Sequence, residues 1–211
     1  MKQIRQMKPI NYNILGITGK SGFGKDTLAN YIASFYAERY PTRTSYKYSF
    51  ASPLKRGAQA IFNLSDEELW GDEKDVINSF WDMTPREIMQ KLSTESIRNV
   101  FREDFWIKRA EIAIVPFDEE NSLFLISDVR YENEAAWIRQ NNGLIIHIRT
   151  GPKQNEDMLS DSDKEHISEQ PIKFLEKEGD LYIENHKTFA DLRSKAEKLV
   201  ELFLESEREE E

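Results

Sequence analysis

The sequence predicts an α/β protein with a mainly parallel five-stranded sheet and helices on both faces. Short apolar runs alternate with amphipathic helical segments along the chain, and several of those runs are continuously apolar. Continuous apolar strands are typical of sheets covered on both faces, and strand–helix alternation is typical of parallel sheets. A glycine-rich turn between the first strand and the first helix predicts a ligand site where the strands end.

The first part of the chain predicts a strand, a helix and a second strand. Residues 13–19, NILGITG, form an apolar run that ends in glycine and predict a buried first strand. Residues 26–40 follow with apolar side chains at helical spacing, and Pro41 marks the stop. Residues 44–50, TSYKYSF, alternate and are rich in β-branched and aromatic types, so they predict the second strand.

Residues 51–112 predict a mostly helical insert. Ser65 and Thr84 are expected to cap two of its helices, since acidic residues follow each of them and Pro85 occupies a first helical position. Because the insert follows the second strand, we expect it at the carboxyl edge of the sheet, where ligands bind in open α/β sheets.

The second half predicts three more strands and two helices. The strands are expected in SLFLISDVR, LIIHIRT and LYIEN, and the helices in NEAAWIRQNNG and in residues 187–207. Residues 150–170 are polar and without periodicity, and a loop of this length is usually functional or disordered. We predict a single domain, 1–211, with a core (13–50 and 113–205), a helical insert (51–112), a covering segment (150–170) and flexible ends (1–12 and 206–211).

Composition restricts the classes of function. The net charge is −9, and there is no cysteine, which excludes disulfides and thiolate chemistry and fits a reducing cytoplasm. No apolar run approaches the roughly 20 residues of a membrane span, and the basic start of the chain lacks the apolar core of a secretory signal. An acidic chain is also a poor nucleic-acid binder. We expect small-molecule ligands, no nucleic acid and no membrane, and a homodimer is left open.

Residues 16–31, GITGKSGFGKDTLANY, match a phosphate-binding loop with one deviation. Gly19, Gly24 and Lys25 fit G-x-x-x-x-G-K-[ST], but Asp26 replaces the expected hydroxyl and Thr27 comes one residue later. Backbone amides of such a loop wrap a phosphate, and Lys25 would reach the outer phosphates. Asp26 either complements the helix dipole or provides a hard oxygen ligand for Mg²⁺, with Thr27 as a second candidate. The alternative is a glycine-rich turn with an exposed lysine.

Further polar candidates follow the loop. Asp128 ends an apolar strand, as the metal-binding acid of a P-loop site does, although a turn-starting aspartate looks the same. Arg130 follows at the expected sheet rim. In the insert, Arg86 and Gln90 are four residues apart, as are Thr94 and Arg98. One α-helix through all four would align them in a stripe that could bind a phosphate and read a base edge, or could be an ordinary solvated face. Further candidates are Lys55, Trp106 (more often a core residue) and Arg149.

The motifs GKSGFGKDTLA, FASPLK, TPREIMQKLSTESIR, DFWIKRA, ISDVRYENEA, IIHIRT and HISE occur in this order. Over residues 13–205 the chain resembles phage-type deoxynucleoside monophosphate kinases, in which an aspartate after the loop lysine is normal. The resemblance implies a P-loop kinase fold, an acceptor-binding insert, a lid at 150–170, and ATP with Mg²⁺. The candidates are, for catalysis, Lys25, Asp26, Asp128 and Arg130; for ATP, Gly19, Gly22, Phe23, Gly24, Lys25, Asp26, Thr27 and Arg149; for the acceptor, Lys55, Arg86, Gln90, Thr94, Arg98, Trp106, Arg130 and Glu134; and for the metal, Asp26, Thr27 and Asp128.

Three features depart from the family pattern or from what its chemistry needs. Ser93 replaces a glycine beside the acceptor motif, Phe23 occupies a loop position where small residues are common, and the lid contains few basic residues. The expected reaction is ATP-dependent phosphorylation of (deoxy)nucleoside 5′-monophosphates to diphosphates for DNA precursor synthesis. Two alternatives remain: a kinase of another phosphorylated acceptor, of the dephospho-CoA type, and a P-loop ATPase or switch module.

Overall fold

The computed structural model of the protein describes residues 13–114, 122–150, 171–185 and 188–208. The chain divides into two compact units, a sheet unit (residues 1–48 and 116–211) and a helical unit (residues 49–115). None of the helices in the described ranges is long and apolar enough to cross a bilayer. The predicted N-terminal extension and residues 151–170 of the predicted lid lie outside the described residues.

The sheet unit contains five parallel strands in the spatial order β2-β3-β1-β4-β5, which confirms the predicted parallel sheet. The strands are β1 (Asn13–Thr18), β2 (Thr44–Tyr48), β3 (Ser122–Ile126), β4 (Leu144–Thr150) and β5 (Leu181–Asn185). The register pairs Gly16 with Ile126 and Thr18 with His147. Because neighbouring strands are parallel, the segments that follow β1 and β3 leave the sheet at one edge.

Within the sheet unit, helices cover both faces of the sheet, as predicted. In chain order the α-helices of the described ranges are α1 (Lys25–Arg39), α2 (Ala51–Phe62), α3 (Asp66–Trp70), α4 (Pro85–Gln90), α5 (Phe105–Ile114), α6 (Glu132–Gln140) and α7 (Phe189–Arg208), and α2 to α5 belong to the helical unit. Ile17 packs in one core with Leu28 of α1 and Leu192 of α7. Gly16 faces the opposite side, where a methyl group would lie only 2.7 Å from Cδ1 of Ile138 in α6. α7 continues through residue 208, which lies within the predicted flexible end at 206–211, and the flexibility of that end stays a prediction.

The helical unit has its own small core, formed by Ala58, Leu64, Leu69 and Ile88. Both predicted caps are confirmed. The hydroxyl of Ser65 accepts a hydrogen bond from the Glu68 amide, and the Glu68 carboxylate accepts one from the Ser65 amide. Thr84 and Glu87 form the same capping box, with Pro85 at the first position of α4. Each box satisfies amides that a helix start would otherwise leave unpaired.

A buried ionic cluster connects α6, β4 and the segment before β5. The fully buried Asp180 side chain accepts hydrogen bonds from Arg139 Nε (3.0 Å) and Nη2 (2.6 Å) and from the Leu175 amide (2.9 Å). His147 Nε2 lies 3.0 Å from the same carboxylate. Burial alone would raise the pKa of Asp180, but these donors outweigh burial and lower it. The cluster therefore holds a carboxylate ionised inside the sheet unit.

His147 is expected to make stability fall in mild acid. Burial lowers the pKa of His147, and Arg139 and Arg149 act in the same direction against the contact with Asp180. The unfolded chain therefore takes up this proton first, and stability is lost as the pH falls below about 6.5. Asp180, whose pKa is also lowered, loses its contribution only below about pH 4.

Urea unfolding at pH 7.5, 6.5 and 5.5 measures this effect. The wild type should lose stability across the series, and His147→Gln, which does not titrate, should flatten the decrease. An equally steep decrease in the variant would contradict the assignment to His147.

Candidate active site

The glycine-rich loop, residues 19–24, connects β1 to α1, which is the context that a phosphate-binding loop requires. Gly19, Gly22 and Gly24 have φ values of 148°, 77° and 88°, in the region that favours glycine. No side chain caps the start of α1. The first amides of α1 and the positive end of its dipole are therefore suited to an anion held by the loop.

Gly19→Ala is expected to weaken ADP binding at least about tenfold more than Gly22→Ala. A methyl group at Gly19 would lie 2.6 Å from both Cγ2 and the carbonyl oxygen of Ile148, so the loop must shift. A methyl group at Gly22 meets nothing within 4 Å, and its cost is limited to backbone strain of about 1–3 kcal/mol. Calorimetric titration with ADP, with thermal unfolding as the control for folding, compares the two. Equal losses would contradict the packing argument.

Two side chains hold the loop. Lys25 Nζ donates to the carbonyl oxygens of Gly19 (2.7 Å) and Lys20 (2.9 Å), so the ammonium group lies against the loop. Asn185, at the end of β5, donates from Nδ2 to the Phe23 carbonyl oxygen at 3.0 Å. Sequence reasoning missed Asn185 because an asparagine after a strand carries no distinctive signal. Only the folded sheet brings it to the loop.

The turn after β3 is fixed between two neighbouring strands. The Ser127 amide donates to the Tyr48 carbonyl of β2 at 3.4 Å, and the Val129 amide donates to the Ile17 carbonyl of β1 at 3.2 Å. The half-buried Asp128 lies between these two anchors. Asp128 therefore belongs to the same edge of the sheet as the glycine loop.

A side-chain hydrogen bond joins this turn to α1. Ser127 Oγ donates to Asp26 Oδ1 at 2.6 Å, across 101 residues of sequence. Asp26 is exposed in the first turn of α1, beside Thr27. Sequence reasoning selected Asp26 and Asp128 but not Ser127. The structure brings the loop helix and the acidic turn together through this serine.

The carboxylates at this edge are of the type that Mg²⁺ prefers and could contribute to a magnesium site. Mg²⁺ usually takes one or two protein carboxylates and fills its shell with water and phosphate oxygens. Asp26 and the turn that carries Asp128 meet here through Ser127. Within the described ranges there is no group of three or more acidic or histidine side chains that would hold a metal alone. Thr27 is half-buried next to Asp26 and stays a second candidate.

The Glu134 carboxylate, which is predicted to lie near the acceptor, is buried and contacts backbone amides. The side chain of Glu134 is nearly fully buried, with a residue exposure of 1%, and Oε2 accepts from the amides of Arg130 (2.9 Å) and Tyr131 (3.2 Å). The carboxylate therefore fixes the backbone that carries Arg130 at the start of α6. This geometry favours a positioning role for Glu134.

The Arg149 side chain contacts Tyr182 of β5. Its guanidinium carbon lies 3.6 Å from the centroid of the Tyr182 ring, and Nη2 donates to the Tyr182 hydroxyl. Tyr182 in turn stacks on Phe174, with ring centroids 3.8 Å apart. A contact between Arg149 and ATP stays a prediction.

Among the candidates of the helical unit, Arg86 and Lys55 contact neighbouring side chains, whereas Trp106 and Arg98 are buried. Arg86 forms a two-point ion pair with Asp75 at 2.5 and 3.0 Å, and this hydrogen bonding lowers the pKa of Asp75. The Lys55 ammonium lies 5.5 Å from the centroid of the Trp70 ring. Trp106 and Arg98 are buried, and they donate to the carbonyl oxygens of Ser93 (3.4 Å) and Glu103 (2.9 Å).

Burial of Trp106 favours a packing role over a platform on which a base could stack. Gln90 and Thr94 are half-buried, and the Thr94 hydroxyl lies 3.3 Å from that of Ser93.

The predicted α-helical stripe is wrong beyond Gln90. α4 ends there, and Lys91–Phe101 continue as a π-helix, whose hydrogen bonds join residues five apart. The Arg102 amide, for example, donates to the Ile97 carbonyl at 3.3 Å. The wider turn means that a spacing of four no longer aligns Thr94 and Arg98 with α4. π-helical segments are frequent at functional sites.

The strand order, the glycine loop after the central strand and the acidic turn after its neighbour define a P-loop protein of the α/β class. A family model described as deoxynucleotide monophosphate kinase matches residues 65–196, and the chain belongs to that family. The chain is accordingly a phosphotransferase that phosphorylates deoxynucleoside monophosphates. The matched region begins after the glycine loop, so the family model does not cover the loop itself.

Several viral proteins are similar to the chain. A protein of Acanthamoeba polyphaga mimivirus, provisionally named deoxynucleotide monophosphate kinase, is 29% identical over 198 residues, which cover 86% of this chain and 92% of that protein. The deoxynucleoside-5′-monophosphate kinase of Escherichia phage T5 is 26% identical over 185 residues, 62% of this chain and 73% of its own length. The deoxynucleotide monophosphate kinase of Enterobacteria phage T4 is 32% identical over 126 residues, 57% of this chain and 47% of its own length.

Proposed function

We propose that the phosphoryl donor is ATP, bound on residues 19–27, and that its γ-phosphoryl group passes to a deoxynucleoside 5′-monophosphate. The observation that carries this proposal is the position of Lys25, whose ammonium group contacts the carbonyls of Gly19 and Lys20. A bound triphosphate would replace these carbonyls as partners of Lys25. Mg²⁺, held by Asp26 and Asp128 with Thr27 as a further candidate, would neutralise phosphate charge.

The acceptor phosphate is itself an anion, so the protein must bring two anions together. No strong base is needed because the attacking oxygen is already ionised, and the protein supplies position and positive charge. In this proposal Arg130 and Arg149 contribute charge from the sheet unit. The helical unit is the acceptor-binding insert, with Arg86, Gln90, Thr94, Arg98 and Lys55 as its candidate contacts.

A coupled assay of ADP release tests the proposal. The acceptors are the four common ribonucleoside and four deoxyribonucleoside monophosphates, with dephospho-CoA as a further candidate. ADP should form only when Mg²⁺ and a nucleoside monophosphate are present, and deoxynucleoside monophosphates should be among the accepted substrates. ADP release without any acceptor, or stimulated by nucleic acid, would instead support an ATPase module. Turnover with dephospho-CoA alone would support the other kinase class.

A further inference from the structure

We propose that Ser127 is a positioning residue for the nucleotide–metal site, and that its hydroxyl aims the Asp26 carboxylate. The proposal rests on the proposed function, since it assigns a task to Ser127 at the same site. Asp26 occupies the position at which the loop consensus has a hydroxyl. The structure places the hydroxyl of Ser127, which directly follows β3, within hydrogen-bond distance of the Asp26 carboxylate.

The direction of the hydrogen bond follows from the two groups. An ionised carboxylate only accepts, so the Ser127 hydroxyl donates to Asp26 Oδ1. The separation of 2.6 Å lies in the range of a charge-assisted O–H···O⁻ bond. This bond uses one lone pair of Oδ1 and restricts rotation of the carboxylate. Oδ2 and the second lone pair of Oδ1 could still coordinate a metal or accept a hydrogen bond from metal-bound water.

The backbone around Ser127 is hydrogen-bonded to the sheet, whereas the Asp26 side chain is exposed. The Ser127 amide donates to Tyr48 of β2 at 3.4 Å, and the Val129 amide donates to Ile17 of β1 at 3.2 Å. Asp26, in contrast, is an exposed side chain at the start of a helix. A donor fixed to the sheet therefore limits the rotamers that Asp26 can adopt before the nucleotide arrives, which is the physical meaning of preorganisation.

Ser127 also connects the two acidic residues of the site, Asp26 and Asp128. Ser127 precedes Asp128 in the chain and contacts Asp26 in space, so one dipeptide carries both a carboxylate and the donor that orients the second carboxylate. In this arrangement the helix supplies a carboxylate and the strand end supplies a hydroxyl. The metal-facing groups of the two elements are thus coupled through Ser127.

Ser127→Ala, Ser127→Thr and the control Ser45→Ala test the proposal. Ser45 is a half-buried serine of the neighbouring strand β2, where it pairs with Leu123 away from the site. Calorimetry measures the affinity for ADP with and without Mg²⁺. Ser127→Ala should weaken binding of ADP about tenfold with Mg²⁺ and less than about twofold without it. Ser127→Thr, which keeps the donor, and Ser45→Ala should resemble the wild type.

Each other outcome overturns the assignment. Equal weakening with and without Mg²⁺ would mean that Ser127 only supports the loop, and no weakening would mean that Asp26 is oriented without it. A wild type whose ADP affinity does not respond to Mg²⁺ would contradict the metal site itself and this inference with it. If instead the wild type responds to Mg²⁺ and Ser127→Ala binds ADP as the wild type does, the proposed function stands and this inference falls. Thermal unfolding of all three variants separates a loss of folding from these results.

Discussion

Lys25→Ala is expected to lower kcat for nucleoside diphosphate formation by roughly 10²–10³-fold, the typical cost of removing one preorganised group that stabilises charge in the transition state. Lys25 is the basic residue whose ammonium group the structure places directly against the loop carbonyls of Gly19 and Lys20. Removing it takes away the hydrogen bonds to these two carbonyls and a positive charge from the place proposed for the outer phosphates. Steady-state kinetics with saturating acceptor measure the effect.

Two variants make the interpretation of Lys25→Ala specific. Lys20→Ala removes an exposed positive charge from the same loop and should keep most of the activity. Lys25→Arg keeps the charge but replaces a compact ammonium by a planar fork, so it should be only partly active. Unchanged thermal unfolding of Lys25→Ala would confirm that the loss is chemical. Near-normal kcat in Lys25→Ala would remove the lysine from the proposed mechanism.

Asp180→Ala is expected to lower the free energy of unfolding by about 3–5 kcal/mol, the usual result of removing one partner of a buried ion pair. The substitution leaves the buried guanidinium of Arg139, the Leu175 amide and the His147 ring without the acceptor that they share in the sheet unit. Urea unfolding at pH 7.5 gives the change directly. The midpoint should move to lower urea with little change in slope.

Glu178→Ala is the matched control for Asp180. Glu178 Oε2 lies 3.5 Å from the same arginine, but its side chain is half exposed (50%), whereas that of Asp180 is fully buried (0%). Exposed ion pairs contribute about 0–1 kcal/mol, so this variant should unfold almost like the wild type. Similar losses of unfolding free energy in both variants would show that burial does not determine how much each carboxylate contributes to stability.

Local sequence signals were sufficient for most of the fold. The runs in β1, β3 and β4 are apolar because these strands are covered on both faces, so their composition alone predicts them. The caps at Ser65 and Thr84 were predictable because a capping box needs only residues three apart. The glycines of the loop were predictable because a backbone with positive φ favours that residue type.

The remaining features depend on contacts or backbone states that local patterns do not encode. Ser127 and Asn185 meet the loop only after the sheet has formed, and a serine or asparagine at a strand end is common in any loop. The change from α4 to the π-helix lies in the backbone hydrogen bonds, while the side-chain pattern still looks α-helical. The burial of Glu134 follows from the capping of α6, which a motif comparison does not show.

Transfer of a labelled γ-phosphoryl group tests the central claim most directly. ATP labelled on its γ-phosphate is incubated with the protein, Mg²⁺ and one deoxynucleoside monophosphate, and the labelled products are separated. Direct transfer on the glycine loop predicts label in the deoxynucleoside diphosphate and almost none in inorganic phosphate. Label that accumulates in inorganic phosphate, at a rate independent of the acceptor, would contradict the account.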